Sequence, residues 1–177
     1  MDDFSVLATS VTAQDWRAGV VLDFAKSELF EHTFREGMEL VEDTAAYLDG
    51  SGRQESKRLT RKSALDYASE SMRLTTRLMQ VASWLLVQRA VREGDMEAAS
   101  ACEARYRLSA EAAQAPELDE DDLVVMPSAL VDLVSRAERL YERVTHLDRR
   151  MYLDIPEEEE PHPVLSQHER LKAAFGG

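Results

Sequence analysis

Cysteine is all but missing from this chain. Cys102 stands alone among 177 residues, so no intramolecular disulfide can form, which suits a reducing compartment. Glycine and proline are scarce as well, 7 and 5 residues, and that argues against a turn-rich β architecture. Long apolar runs are missing too. The strongest, Val81 to Val87, falls far short of the roughly 20 residues a membrane span needs. The start, Met-Asp-Asp-Phe, lacks the basic opening and apolar centre of a signal peptide. A soluble, cytoplasmic protein is the expectation. Positive charge is in deficit: 21 Lys and Arg against 34 Asp and Glu leave a net charge of −13. Long-range repulsion then argues against general DNA or RNA binding. There is no glycine-rich phosphate loop and no dinucleotide fingerprint.

What is present is helical periodicity. From Ser69 to Gln88 no Pro or Gly interrupts the chain. Ala68, Met72, Thr75, Met79, Ala82 and Leu86 form one row in alternating steps of four and three. Tyr67, Ser71, Leu74, Leu78, Val81 and Leu85 form a second row beside it. Two adjacent rows predict a wide buried face, and hence the central helix of a bundle. Arg73, Arg77, Gln80 and, less cleanly, Ser83 and Val87 are left for the opposite face.

The rest of the chain supplies neighbours. Residues 1–23 carry no sustained period and are expected to be partly mobile. A first helix is predicted from Phe24 to Asp49, with a stripe of Phe30, Phe34, Gly37, Met38, Val41, Ala45 and Leu48. Gly37 is unfavourable inside a helix by about 1 kcal/mol relative to Ala, which suggests close approach of a neighbour. Gly50 suits a stop, and the short link Gly50–Arg53 predicts an antiparallel pair. The second helix is predicted from about Ser51 or Ser56 to Glu93, where Gly94 ends it. Asp95 caps a shorter helix to about Leu108. Pro116 and the acidic run around Asp119 to Asp122 mark a loop over 110–126. A last helix is expected from Pro127-Ser128 to Leu153, striped by Leu130, Val134, Ala137, Tyr141, Val144, Leu147 and Met151. The expected fold is all-α: an antiparallel three-helix bundle over 24–153 with one short extra helix. An acidic, disordered tail follows over 154–177.

Chemistry-bearing groups are sparse. Di-iron bundles need Glu-x-x-His on two helices. This chain has it only at Glu159 and His162, across Pro161, while Glu28/His32 and Glu142/His146 are spaced by four. Cys102 lies beside Glu103 in an Ala-rich stretch with nothing to lower its pKa. No metal, cofactor or catalytic residue is assigned. A basic cluster is more suggestive. Arg53, Lys57, Arg58, Arg61 and Lys62 crowd the start of the second helix, where the dipole disfavours cations. One reading is a solvated end paired with nearby carboxylates. The other is a dock for an acidic protein partner, which Arg73 and Arg77 would extend along the helix. DNA contact is the weaker form of that second reading. Trp84 and Val87 lie off both rows, so a fourth helix or a homodimer would bury them unless the core does. In the tail, Ser166 and Glu169 have capping-box spacing, and Leu171 and Phe175 follow as candidate partner-binding residues.

The wording from Glu70 to Leu86, with the upstream Glu36 to Glu42 and the downstream Arg89 to Gly94, resembles the alphaproteobacterial regulators of CtrA degradation, the RcdA family. The similarity spans about residues 27 to 153. The resemblance implies a non-enzymatic adaptor, itself a homodimer, that helps the ClpXP protease recognise substrates during the cell cycle. The implied partners are the ClpX unfoldase with a CpdR-like priming factor, and a PopA-like adaptor or CtrA-like cargo. The alternatives left by the residues themselves are a DNA-associated regulator and a small helical metal protein or enzyme.

Overall fold

The protein, described from a computed structural model over residues 13–108 and 125–152, is helical throughout, with no strand among those residues. Helix α1 covers Ala13–Lys26, α2 Glu28–Asp49, α3 Ser51–Ser56, α4 Arg61–Glu93, α5 Ala98–Ala101 and α6 Ser128–Tyr152. A single 3-10 turn, Ala104–Tyr106, follows α5. The acidic loop and the tail, with Glu159, His162, Leu171 and Phe175, lie outside the described residues, as does the extreme amino terminus.

Local chemistry sets the boundaries. Helix α1 was not visible in the periodicity, yet Val21 and Ala25 are fully buried in the core. The helix expected from Phe24 is instead broken at Ser27. That side chain accepts from the Phe30 N–H at 3.1 Å and donates to the Phe24 carbonyl at 2.7 Å, ending one helix and capping the next. The forty-residue helix expected after Gly50 is likewise divided. Short α3 comes first, and Thr60 then caps α4 through the Ser63 N–H at 3.2 Å. Gly94 ends α4 at φ 83°, with its N–H on Val91 and that of Asp95 on Ala90, a Schellman arrangement. The helix expected to run to Leu108 is only one turn, α5, before the 3-10 segment.

Helices α2, α4 and α6 form the central bundle, and α1 packs on it. Glu31 reaches Arg92 and Gly37 faces Leu85, so α2 and α4 are antiparallel. Glu36 meets Arg143 and Asp43 meets Arg136, so α2 and α6 are antiparallel too. Arg77 meets Glu138 and Trp84 meets Asp148, so α4 and α6 run the same way. Helices α4 and α6 being parallel, they are not joined as a second hairpin. The close approach expected at Gly37 is real: a Cβ there would sit 2.7 Å from Leu85 Cδ1. Phe24 of α1 lies 5.7 Å from the Trp84 ring, which is 1% exposed, so a helix of the same chain covers Trp84 and no second copy is needed for it.

Candidate functional site

Helix α4 is arranged contrary to its sequence pattern. The row Tyr67, Leu74, Leu78, Val81, Leu85 is buried as expected, with Ser71 half-buried. The other row is not. Met72, Met79 and Leu86 are 72%, 66% and 51% exposed, Ala68 and Thr75 are exposed, and Ala82 is half-buried. Arg73 and Arg77, expected in solvent as an extension of the basic strip, are buried against α6.

The physical reason is local charge balance. Arg73 donates to Glu70 Oε2 through Nη2 at 2.7 Å and Nε at 3.2 Å. Arg77 donates to Glu138 Oε1 at 2.7 Å, and Arg73 Nη2 lies 3.4 Å from the same oxygen. The Arg77 guanidinium also lies over the Tyr141 ring, 5.8 Å from its centroid. Two cations and two carboxylates thus neutralise one another between α4 and α6. The signal was present: Asp66, Glu70, Arg73 and Arg77 lie on one helical line that continues into Trp84, Gln88 and Val91, all three buried. A line that ends so apolar faces the interior.

With those charges turned inward, the outer face of α4 from Leu65 to Leu86 carries none. Its exposed residues are Leu65, Ala68, Ser69, Met72, Thr75, Thr76, Met79, Ser83 and Leu86. Four of the six large exposed hydrophobics among the described residues lie on this stripe. Exposed apolar side chains repeated along one helix face are unusual for a helix packed on both neighbours. Periodicity detected the stripe; only the packing shows that it faces outward.

At one end of the stripe lies the basic cluster. Arg53, Lys57, Arg58, Arg61 and Lys62 are all exposed. None of Arg53, Lys57, Arg58 or Arg61 makes an ion pair among the described residues, and Glu55 instead accepts from the Tyr47 hydroxyl at 2.8 Å. The structure thus keeps five of the seven candidate cations together at the surface and removes Arg73 and Arg77 from the set.

Toward the other end, Asp148 gathers the residues that follow α5. It accepts from Trp84 Nε1 at 2.9 Å, from Arg107 Nη2 at 3.0 Å and from the Leu108 N–H at 3.4 Å. Beside it, a groove of about 420 Å³ runs between α4 (Thr76, Met79, Ser83, Trp84) and Arg105–Leu108. Arg107 stacks 4.9 Å from the centroid of Tyr152, whose hydroxyl donates to the Ala101 carbonyl at 3.2 Å. Burial pushes the Tyr152 hydroxyl up to about 12, with Gln88 opposing. Burial also raises the Cys102 thiol, with Arg17 opposing, so Cys102 is a poor nucleophile where it sits. Among the described residues no three His, Cys, Asp or Glu side chains converge as metal ligands, and His32 lies instead 3.9 Å from Glu36. No described helix is long and apolar enough to cross a membrane.

The molecule is thus an all-α bundle with an exposed apolar stripe on α4 and a cluster of exposed cations where that helix begins. Residues 21–175 match a family described as a protein of unknown function, DUF1465. The chain is 60% identical to RcdA from Caulobacter crescentus CB15, seen in a crystal structure, over 76% of this chain and 99% of that one, with a TM-score of 0.62. The chain belongs to the RcdA family. No curated protein matches it.

Proposed function

We propose that this chain is a non-enzymatic, cytoplasmic adaptor in regulated proteolysis, tethering selected substrates to the ClpXP protease. Membership of the RcdA family supports the setting. The observation that carries the adaptor reading is the charge-free outer face of α4, an apolar stripe on a helix whose charges are paired inside. Such a face suits protein docking, and the exposed cations at its start suit an acidic partner. Tethering needs no catalytic group, because raising the local concentration of a substrate is enough. Partners under this reading are the ClpX unfoldase with a CpdR-like priming factor, a PopA-like adaptor or CtrA-like cargo, and a second copy of the chain.

Reconstitution tests it. Purified ClpXP, priming factor and cargo are followed with and without this chain. Faster ATP-dependent loss of cargo on its addition is expected. An unchanged rate across a range of cargo proteins overturns the reading.

A further inference from the structure

The groove between α4 and residues 105–108 is selective in its chemistry. Met79, Val87 and Leu108 give it apolar walls, with the buried Trp84 beneath them. Its cations are already held: Arg107 donates to Asp148, and Arg105 lies 3.0 Å from Glu103. An acidic segment therefore finds no unpaired charge there. Two lining side chains carry buried polar atoms without a partner, Gln80 Oε1 and Arg107 Nε. A peptide reaching them would satisfy one acceptor and one donor. Between Thr76 and Val87 the α4 wall is about 17 Å long at 1.5 Å per residue. These dimensions suit a short amphipathic helix laid along the groove.

We infer that this groove receives the chain's own carboxyl-terminal segment, residues 166–175, with Leu171 and Phe175 as its anchors. Helical spacing, opened by Ser166 and Glu169 as a capping box, sets Gln167, Leu171, Ala174 and Phe175 on one side, with His168 at its edge. Glu169, Arg170 and Lys172 fall elsewhere on the helix. Residues 166–175 as a helix are about 15 Å long, which matches the wall. The path is short. Helix α6 ends at Tyr152, and the Arg107 guanidinium of the groove wall lies 4.9 Å from the centroid of that ring. The chain thus leaves the bundle at the edge of the groove. Residues 153–165 reach roughly 43 Å when extended, ample to turn back along it. Charge favours that return. The run Glu157 to Glu160 follows the exposed Arg149 and Arg150 of the last turn of α6, neither of which has an ion pair among the described residues. A tethered segment meets its groove at an effective concentration of about millimolar, so it outcompetes a separate chain of equal affinity. The family match also runs past α6 to residue 175, so both anchors belong to the matched region.

Cross-linking and hydrogen exchange on the full chain test this. Cys102→Ser removes the native thiol, and Ser83→Cys in the groove is combined with Ala174→Cys in the tail. A short bismaleimide is expected to join the two within one chain, at a rate unchanged by tenfold dilution. Glu39→Cys, exposed on α2, replaces Ser83→Cys as the control and should give no such product. In the unaltered chain, the amides of residues 168–175 should exchange at least tenfold more slowly than in a free peptide of the same sequence. Leu171→Asp with Phe175→Asp should abolish both effects while helicity and melting of the bundle are kept, since both positions lie beyond α6. Exchange at the free-peptide rate, equal joining to Glu39→Cys, or joining that survives the double substitution overturns the inference. So does joining only between chains, which would give the groove to the tail of a second copy. None of these readouts involves cargo, so the adaptor reading stands or falls apart from them.

Discussion

Glu70 sits 2% exposed beside an arginine that is itself buried, and the pair shows how a charge can belong to a core. Removing one partner strands the other in a poor solvent. Arg73→Met is therefore expected to lower unfolding free energy in urea by about 3–5 kcal/mol. Glu70→Leu combined with Arg73→Met should recover most of that loss, because apolar side chains of similar size tolerate the same site. Tyr152 makes a second prediction, in pH. Its neutral form is favoured in the fold, with its pKa pushed up to about 12, against an ordinary value of 10.0. The unfolded chain then releases its proton first. The stability this group contributes is complete below pH 10 and is lost as pH rises toward 12. Tyr152→Phe should be weaker at neutral pH by about 1 kcal/mol, for the lost bond to Ala101, yet fall less steeply than the parent above pH 10. Tyr47, also raised by burial and by its bond to Glu55, steepens both curves alike. Equal slopes would show that Tyr152 is hydrated in the folded protein.

At the scale of the helix, the sequence was informative about which segments coil and much less so about which way they face. The helices α2, α4 and α6 were readable because apolar positions recur over many turns and Gly50, Gly94 and Pro127 bound them. Helix α1 was not readable. Its large apolar residues, Trp16, Val20, Val21, Leu22 and Phe24, are too closely bunched to fix a period, and the tertiary contacts of Val21 and Ala25 secure it. The outward face of α4 was missed for a different reason. Periodicity finds rows of like residues but cannot tell a row buried by its own chain from one left for another. Arg73 and Arg77 were misplaced because charge was weighed above the line they share with Trp84, Gln88 and Val91, and because Glu138, which completes the cluster, is remote in sequence. Boundaries turn on single caps. Ser27→Ala removes the acceptor for Phe30 N–H and the donor to Phe24 carbonyl at the α1–α2 junction. It is expected to cost about 1 kcal/mol in thermal or urea unfolding. A neutral result would mean that packing of Val21 and Ala25 alone sets that corner.

For the whole molecule, the distribution of charge matters more than its sum. A chain of net charge −13 keeps exposed cations at the start of α4, where the positive end of the helix dipole opposes them. Stability alone gives no reason for that choice. Arg61 occupies the first position of α4, so Arg61→Glu exchanges an unfavourable end charge for a favourable one. With Arg58→Glu beside it, unfolding free energy at high dilution, where pairing between copies contributes little, should rise by about 0.3–1 kcal/mol. In a chain of this size that is a melting shift of roughly 1–4 °C. If the cluster serves an acidic partner, the same variant should slow cargo loss in the reconstituted protease, and added salt should slow the unaltered protein in the same direction. A protein made more stable and less active by one pair of substitutions has its cations there for recognition. A variant that melts lower would make the cluster a support of the fold, and one that degrades cargo at the parent rate would leave it without a part in recruitment.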